Sequence, residues 1–203
     1  MTLTKNPGFR SATSLGKINN LTAMISNHPV LTDYVTGRPV LDVGPEANRQ
    51  AVEKFLVENK GYDKRDILVD MPLALEIGGK PYGTRLDLVV QVDGNPFMVI
   101  KCVAGSLDSR EREVIYAARV AGKTPLPVAV ASDGRTALVF DAISRKPSGE
   151  GLEAIPSPDE GRIIAASAKD QPISAERLEK EKIIFRSYDI QNVNFSENGC
   201  CSD

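Results

Sequence analysis

Tryptophan is absent from this 203-residue chain and aromatic residues make up only 5% of it, so any core must be mainly aliphatic. Histidine occurs once, as His28 just before Pro29. A residue before proline favours extended or turn backbone, and His28 reads as a solvated loop residue. No Ser–His or Cys–His catalytic pair is suggested. Cysteine occurs three times, with no Cys-x-x-Cys pair, which excludes a disulfide framework and a thioredoxin-like redox motif. Cys102 lies in an apolar run and reads as a small buried hydrophobe. Cys200 and Cys201 fall in a polar tail ending Cys-Cys-Ser-Asp, whose acidic last residue does not suit prenylation. No signal-peptide pattern or apolar run of membrane-spanning length is present. The expected compartment is therefore reducing and cytoplasmic, without a membrane partner, and the sequons at Asn20 and Asn194 are incidental. An excess of positive charge is missing too: 25 basic residues face 27 acidic ones, for a net charge of −2. A dedicated nucleic-acid binder usually carries a basic footprint. Net charge says nothing of distribution, so a local basic patch stays open.

What is present describes a soluble globular chain, 41% hydrophobic and 26% charged, long enough to bury a core without metal or disulfide staples. Residues 1–43 read as a polar N-terminal arm with one short helix near Leu21 to Asn27. Residues 44–145 read as the core domain, and 146–203 as a C-terminal extension with a helix and a flexible tail. Pro45 and Gly61 bracket a helix. Its stripe of Ala47, Ala51, Val52, Phe55 and Leu56 should face the core, leaving Glu46, Arg49, Gln50 and Glu53 in solvent. A strand over about 67–75, broken near Pro72, leads to a turn at Gly78-Gly79. That turn lies between strands, so it is not a phosphate-binding loop. Residues 84–92 alternate and should pair with 96–103 across the loop Asp93-Gly94-Asn95. A helix over 106–121 then crosses over to strands at 126–131 and 136–140. So long a crossover implies one parallel pairing. The expected class is α/β, a mixed central sheet flanked by helices. Past Asp141, Ser148 to Gly151 and Ile155 to Pro158 look like loops. Helices are expected over 159–168 and 174–188.

The strand pair carries the chemistry. With a three-residue loop, Val92 faces Pro96, and counting back places Asp87 opposite Lys101 on one sheet face, with Cys102 pointing away. A two-residue loop would instead pair Asp87 with Ile100 and put Lys101 on the other face.

Residues 45–141 resemble the N-terminal domain of type I restriction enzyme R subunits, a PD-(D/E)xK nuclease-like, restriction-endonuclease-like core. The matching residues are Pro45-Glu46-x-x-Arg49-Gln50, Gly61-Tyr62, Arg85-x-Asp87, Pro96 to Ile100, Tyr116-Ala117 and Ala131-Ser132-Asp133-Gly134. Glu179 to Phe185 also resembles the tail of short stand-alone relatives. The resemblance implies a nuclease site with Asp on one strand and (Glu/Asp)-x-Lys on the next. Two carboxylates there hold Mg²⁺ through oxygen, the metal activates a water, and the lysine stabilises the developing charge. Carried over, Glu46 matches the helix glutamate and Asp87 the strand aspartate. The tripeptide, however, is Lys101-Cys102-Val103, with lysine where the second carboxylate belongs. Arg112, four before Tyr116, stands where the family often has glutamine.

Two expectations follow. In the first, the chain is a catalytically degenerate binding module with a vestigial site of Glu46, Asp87 and Lys101. It needs no cofactor, engages DNA or a protein partner (or itself, as a homo-oligomer), and binds nucleic acid through Arg85, Arg110 and Arg112. In the second, it is an active Mg²⁺-dependent DNA endonuclease with a relocated site. Asp87 and Glu46 then hold the metal with Glu111 or Glu113, and Lys101 acts as the catalytic lysine.

Overall fold

The computed structural model describes residues 28–168 and 173–197. The helix expected near Leu21 to Asn27 and the Cys200-Cys201 tail lie outside the described residues.

The described residues open with a small antiparallel hairpin, β1 (Val30–Thr32) and β2 (Pro39–Leu41), in the segment where only a polar arm was expected. Helix α1 follows (Glu46–Glu58), shorter at both ends than its flanking Pro45 and Gly61 suggest. Next come β3 (Ile67–Ile77), β4 (Lys80–Val92) and β5 (Asn95–Cys102). Helix α2 (Glu111–Val120) crosses to β6 (Val128–Ser132), β7 (Ala137–Asp141) and β8 (Lys146–Glu150). Helices α3 (Pro158–Ala168) and α4 (Ala175–Glu197) complete the described chain.

The six strands β3 to β8 form one sheet in sequence order. Only β5 and β6, joined through α2, run parallel; every other neighbour is antiparallel. This is the expected α/β architecture, a mixed sheet flanked by helices. Strand alternation sorts the core into two layers. Leu88, Val90, Met98, Ile100 and Val130 face Val52 and Leu56 of α1. Val89, Val99, Ala129 and Ala131 face Val114 and Ala118 of α2, with Phe185 of α4.

Three local expectations are corrected. β3 runs unbroken through Pro72, which pairs with Arg85. β3 is an edge strand, where a residue without an N–H donor is tolerated. Residues 148–150 belong to strand β8 and extend the sheet past its expected end. In α1 the charged face is the covered one: Arg49 and Glu53 are buried beside Val52 and Leu56, while Ala47 and Ala51 are exposed. The cause is the turn after β1, which lies along that face: the Tyr34 and Val35 amides donate to Gln50 and Glu53.

Candidate functional site

The β4–β5 connection is a two-residue turn, Asp93 and Gly94, with φ of 52° and 73°. Left-handed backbone at both positions is what a tight hairpin requires, and Asp-Gly supplies it. Val92 therefore pairs with Asn95 and Gln91 with Pro96, one step off the register expected from a longer loop. The register then shifts between Gln91 and Val90, so that Val90 pairs with Met98 and Leu88 with Ile100. Phe97 is the extra residue of this bulge. Phe97 and Met98 are sequence neighbours yet are buried in the same layer, which regular alternation forbids. The bulge cancels the shorter turn, and residues 87 and 101 end up across from one another after all.

Past Leu88 and Ile100 the two strands part. β4 continues along β3, and β5 along β6, where Lys101 pairs with Ala131 and Cys102 with Ser132. Asp87 lies at this fork, where β5 no longer pairs with β4. Its Oδ2 accepts from the Cys102 amide at 2.8 Å and its Oδ1 from Lys101 Nζ at 3.2 Å. Glu113 of α2 approaches the same ammonium at 3.6 Å and also pairs with Arg110 at 3.0 Å. Burial would pull the Lys101 pKa down. Asp87 first, then Glu113, outweigh it and hold it above the usual lysine value, with Asp189 of α4 adding a smaller push. Lys101 is thus a charged, half-buried cation between carboxylates from two elements. Cys102 points into the opposite layer, where burial raises its thiol pKa well above the ordinary value.

The space around this group is nearly closed. A cavity of about 10 Å³, lined by Arg85, Asp87, Lys101, Glu113, Phe185 and Asp189 among others, is what remains. Phe185 and Asp189 come from α4, whose Asp189 accepts a hydrogen bond from the Tyr82 hydroxyl of β4.

Glu46 belongs to a different cluster. It accepts from Arg49 at 2.8 Å and from Gln50 at 2.7 Å. The Arg49 guanidinium also meets Asp33 at 3.2 Å, Glu53 at 3.4 Å and Asp70 at 3.8 Å. Asp70 would fall opposite Asp87 in the β3–β4 register, but its φ of 51° departs from strand backbone, and its carboxylate turns toward Arg49. One guanidinium therefore serves four acids. Burial, then repulsion from Asp33, pushes the Glu53 carboxyl up to about 7 despite the attraction of Arg49. Asp33 stays below its ordinary value: burial opposes this, and hydrogen bonds from Thr36 and Gln50 with the nearby Arg49 prevail. Among the described residues, no hydrogen bond or ion pair joins Glu46 to Asp87 or Lys101. Nor are any three His, Cys, Asp or Glu side chains among them grouped to hold a metal ion.

The three arginines named as nucleic-acid contacts have different surroundings. Arg85 lines the Asp87–Lys101 cavity, Arg110 is tied to Glu113, and Arg112 faces a separate groove. Glu113, offered with Glu111 as a further acid, is only 2% exposed. Its signal in the sequence is spacing: it falls on the stripe of Val114, Ala117 and Ala118, which a solvated glutamate would avoid. Asp189, and the Asp33 and Asp70 that meet Arg49, come from distant segments and left no comparable mark.

A family described as type I restriction enzyme R protein N terminus matches residues 44–156. No curated protein matches the chain. Among solved structures, the chain is similar to a fragment assigned to the HsdR subunit of a type I restriction enzyme from Vibrio vulnificus YJ016. The two are 17% identical with a TM-score of 0.49, over 67% of this chain and 27% of that one, so this chain corresponds to about a quarter of that fragment.

Proposed function

The chain belongs to the family of type I restriction enzyme R protein N termini, and on that premise we propose that it is a nuclease-fold binding module of a restriction-type system, engaging DNA or a partner subunit without cutting DNA. The observation that carries this reading is the ammonium of Lys101, 3.2 Å from Asp87 and 3.6 Å from Glu113. A Mg²⁺ site needs clustered carboxylate oxygens and open positions for water. Here the two carboxylates share a fixed cation that would repel a second one at close range. Removing that lysine would leave Asp87 with the Cys102 amide and Glu113 with Arg110 but no cation between them, so the pair serves the fold whether or not it adds net stability.

The test uses the purified full chain with plasmid and linear DNA in Mg²⁺ or Mn²⁺, beside Asp87→Ala. The expected result is intact DNA with both proteins, together with a DNA mobility shift or capture of a partner subunit. Cutting by the native chain that disappears in Asp87→Ala, with circular dichroism unchanged, would overturn the reading.

One observation favours a second reading, an active Mg²⁺-dependent endonuclease with a relocated site. Glu113 brings a second carboxylate to the face of Asp87, with a lysine beside both. In that case Glu113→Gln abolishes cutting, as Asp87→Ala does, whereas Glu46→Gln leaves it intact.

A further inference from the structure

On the α2 layer, away from the Asp87–Lys101 cavity, α2, α4 and the β7–β8 turn enclose an open groove of about 690 Å³. Its walls carry Arg112 and Tyr116 from α2, Arg145 from the turn, and Tyr188 from α4. Resting on the DNA-binding half of the reading above, we propose that this groove binds a short stretch of single-stranded nucleic acid, with Arg112 and Arg145 on its phosphates and Tyr116 and Tyr188 against its bases.

The residues support this in three ways. Arg145 is exposed, and among the described residues no hydrogen bond or ion pair engages its guanidinium. It also holds a φ of 61°, left-handed backbone that suits glycine or asparagine better than a long side chain. The turn is closed by its own bonds, Arg145 N to Asp141 O at 2.7 Å and the amides of Ile143 and Ser144 to the Asp141 side chain. The arginine side chain is not needed for any of them, and a sparsely populated backbone conformation of this kind is a pointer to function. Arg112 donates to Tyr188, which sets a guanidinium beside a phenol ring across the groove. Positive charge along a channel with aromatic side chains is how single strands are held without sequence preference. The groove is of the size that takes a small molecule or a few linked units, and a duplex is too wide to enter it. Of the lining residues only Glu111 carries negative charge, and it opposes phosphate.

The test is fluorescence anisotropy with the full chain and a labelled twelve-residue oligo(dT), compared with a hairpin duplex and with dTMP as competitor. Arg112→Ala and Arg145→Ala should each weaken oligo(dT) binding about tenfold, and each should lower the slope of log K against log salt by about 0.7. Glu111→Gln should tighten binding, and Tyr116→Leu should weaken it about tenfold. Lys54→Ala, exposed on α1 on the other side of the sheet, should match the native chain. If the chain binds DNA but both arginine variants bind as well as native, the groove assignment fails and the wider reading survives. If dTMP binds as tightly as oligo(dT), the ligand is a free nucleotide and the single-strand assignment fails. If neither single strand nor duplex binds, the groove assignment and the DNA half of the proposed function fail together.

Discussion

Lys101 and Glu53 are charged groups whose surroundings decide their behaviour, and each gives a test by single substitution. The Lys101 ammonium satisfies Asp87 and Glu113 together. Lys101→Glu would place a third carboxylate among them, and divalent cations are held by such oxygen clusters. Titration calorimetry should then show Mn²⁺ bound at least about tenfold more tightly than by the native chain. Equal affinity would mean that the charge at this position is not what governs metal binding. Glu53, fully buried, has its carboxyl pushed up to about 7, whereas an unfolded glutamate titrates near 4.3. Because its folded pKa is raised, its contribution is complete below about pH 4.3 and is lost as pH rises through about 7. The loss is on the order of 3 kcal/mol. Urea unfolding of the native chain should therefore weaken from pH 5 to pH 8. Glu53→Gln, which keeps an acceptor for the Val35 amide, should flatten that slope and be the more stable protein at pH 8. A slope unchanged by the substitution would assign the pH dependence to other groups.

Single elements show how much of the layout could be read locally. The Asp87–Lys101 juxtaposition follows from alternation and a turn signal, but through two departures that cancel: a shorter turn and a bulge. Asp93-Gly94 announces the tight turn, yet nothing local marks Phe97 as the inserted residue, because its placement depends on what packs over it. That partner is α3. A Cβ on Gly161 would come within 2.7 Å of the Phe97 ring and 3.1 Å of Val92. Gly161→Ala should therefore lower stability by about 1–3 kcal/mol by overpacking, read as a shift in urea midpoint. No effect would mean that α3 can slide off the bulge. The buried face of α1 was illegible for a related reason. Its period separates two faces, but Ala47 and Ala51 look better suited to a core than Arg49 and Glu53. Only the β1–β2 hairpin, which brings Asp33 to Arg49, makes the charged side the covered one.

The matched family segment ends at residue 156, yet the packed molecule does not end there. α4 lies against α2 and the β3–β4 hairpin. Phe185 fills the α2-side layer, and Arg119 meets Glu181 at 2.9 Å while donating to the Ala142 carbonyl. At the hairpin, the Gly78 amide donates to Glu179 and Lys182 to the Glu76 carbonyl. Among the described residues, no helix is long and apolar enough to cross a membrane. Phe185→Ala should cost about 3–5 kcal/mol in urea unfolding. Because Phe185 also lines the Asp87–Lys101 cavity, the same variant should speed amide exchange at Lys101 and Cys102. A small loss of stability with unchanged exchange would make α4 a loosely attached tail.

By itself the sequence determined the α/β order and the parallel crossover, because strand period, helix stops and turn residues act over a few positions, whereas the shared face of Asp87 and Lys101 also needed the bulge at Phe97. Helix spacing brings Glu46 and Glu53 to Arg49, but tertiary structure alone decided which distant acids gather around each cation: Glu113 and Asp189 near Lys101, and Asp33 and Asp70 around Arg49. Charge pairing is set by distance in space. A chain that brings residue 33 to residue 49, and residue 189 to residue 101, leaves no periodic trace of having done so.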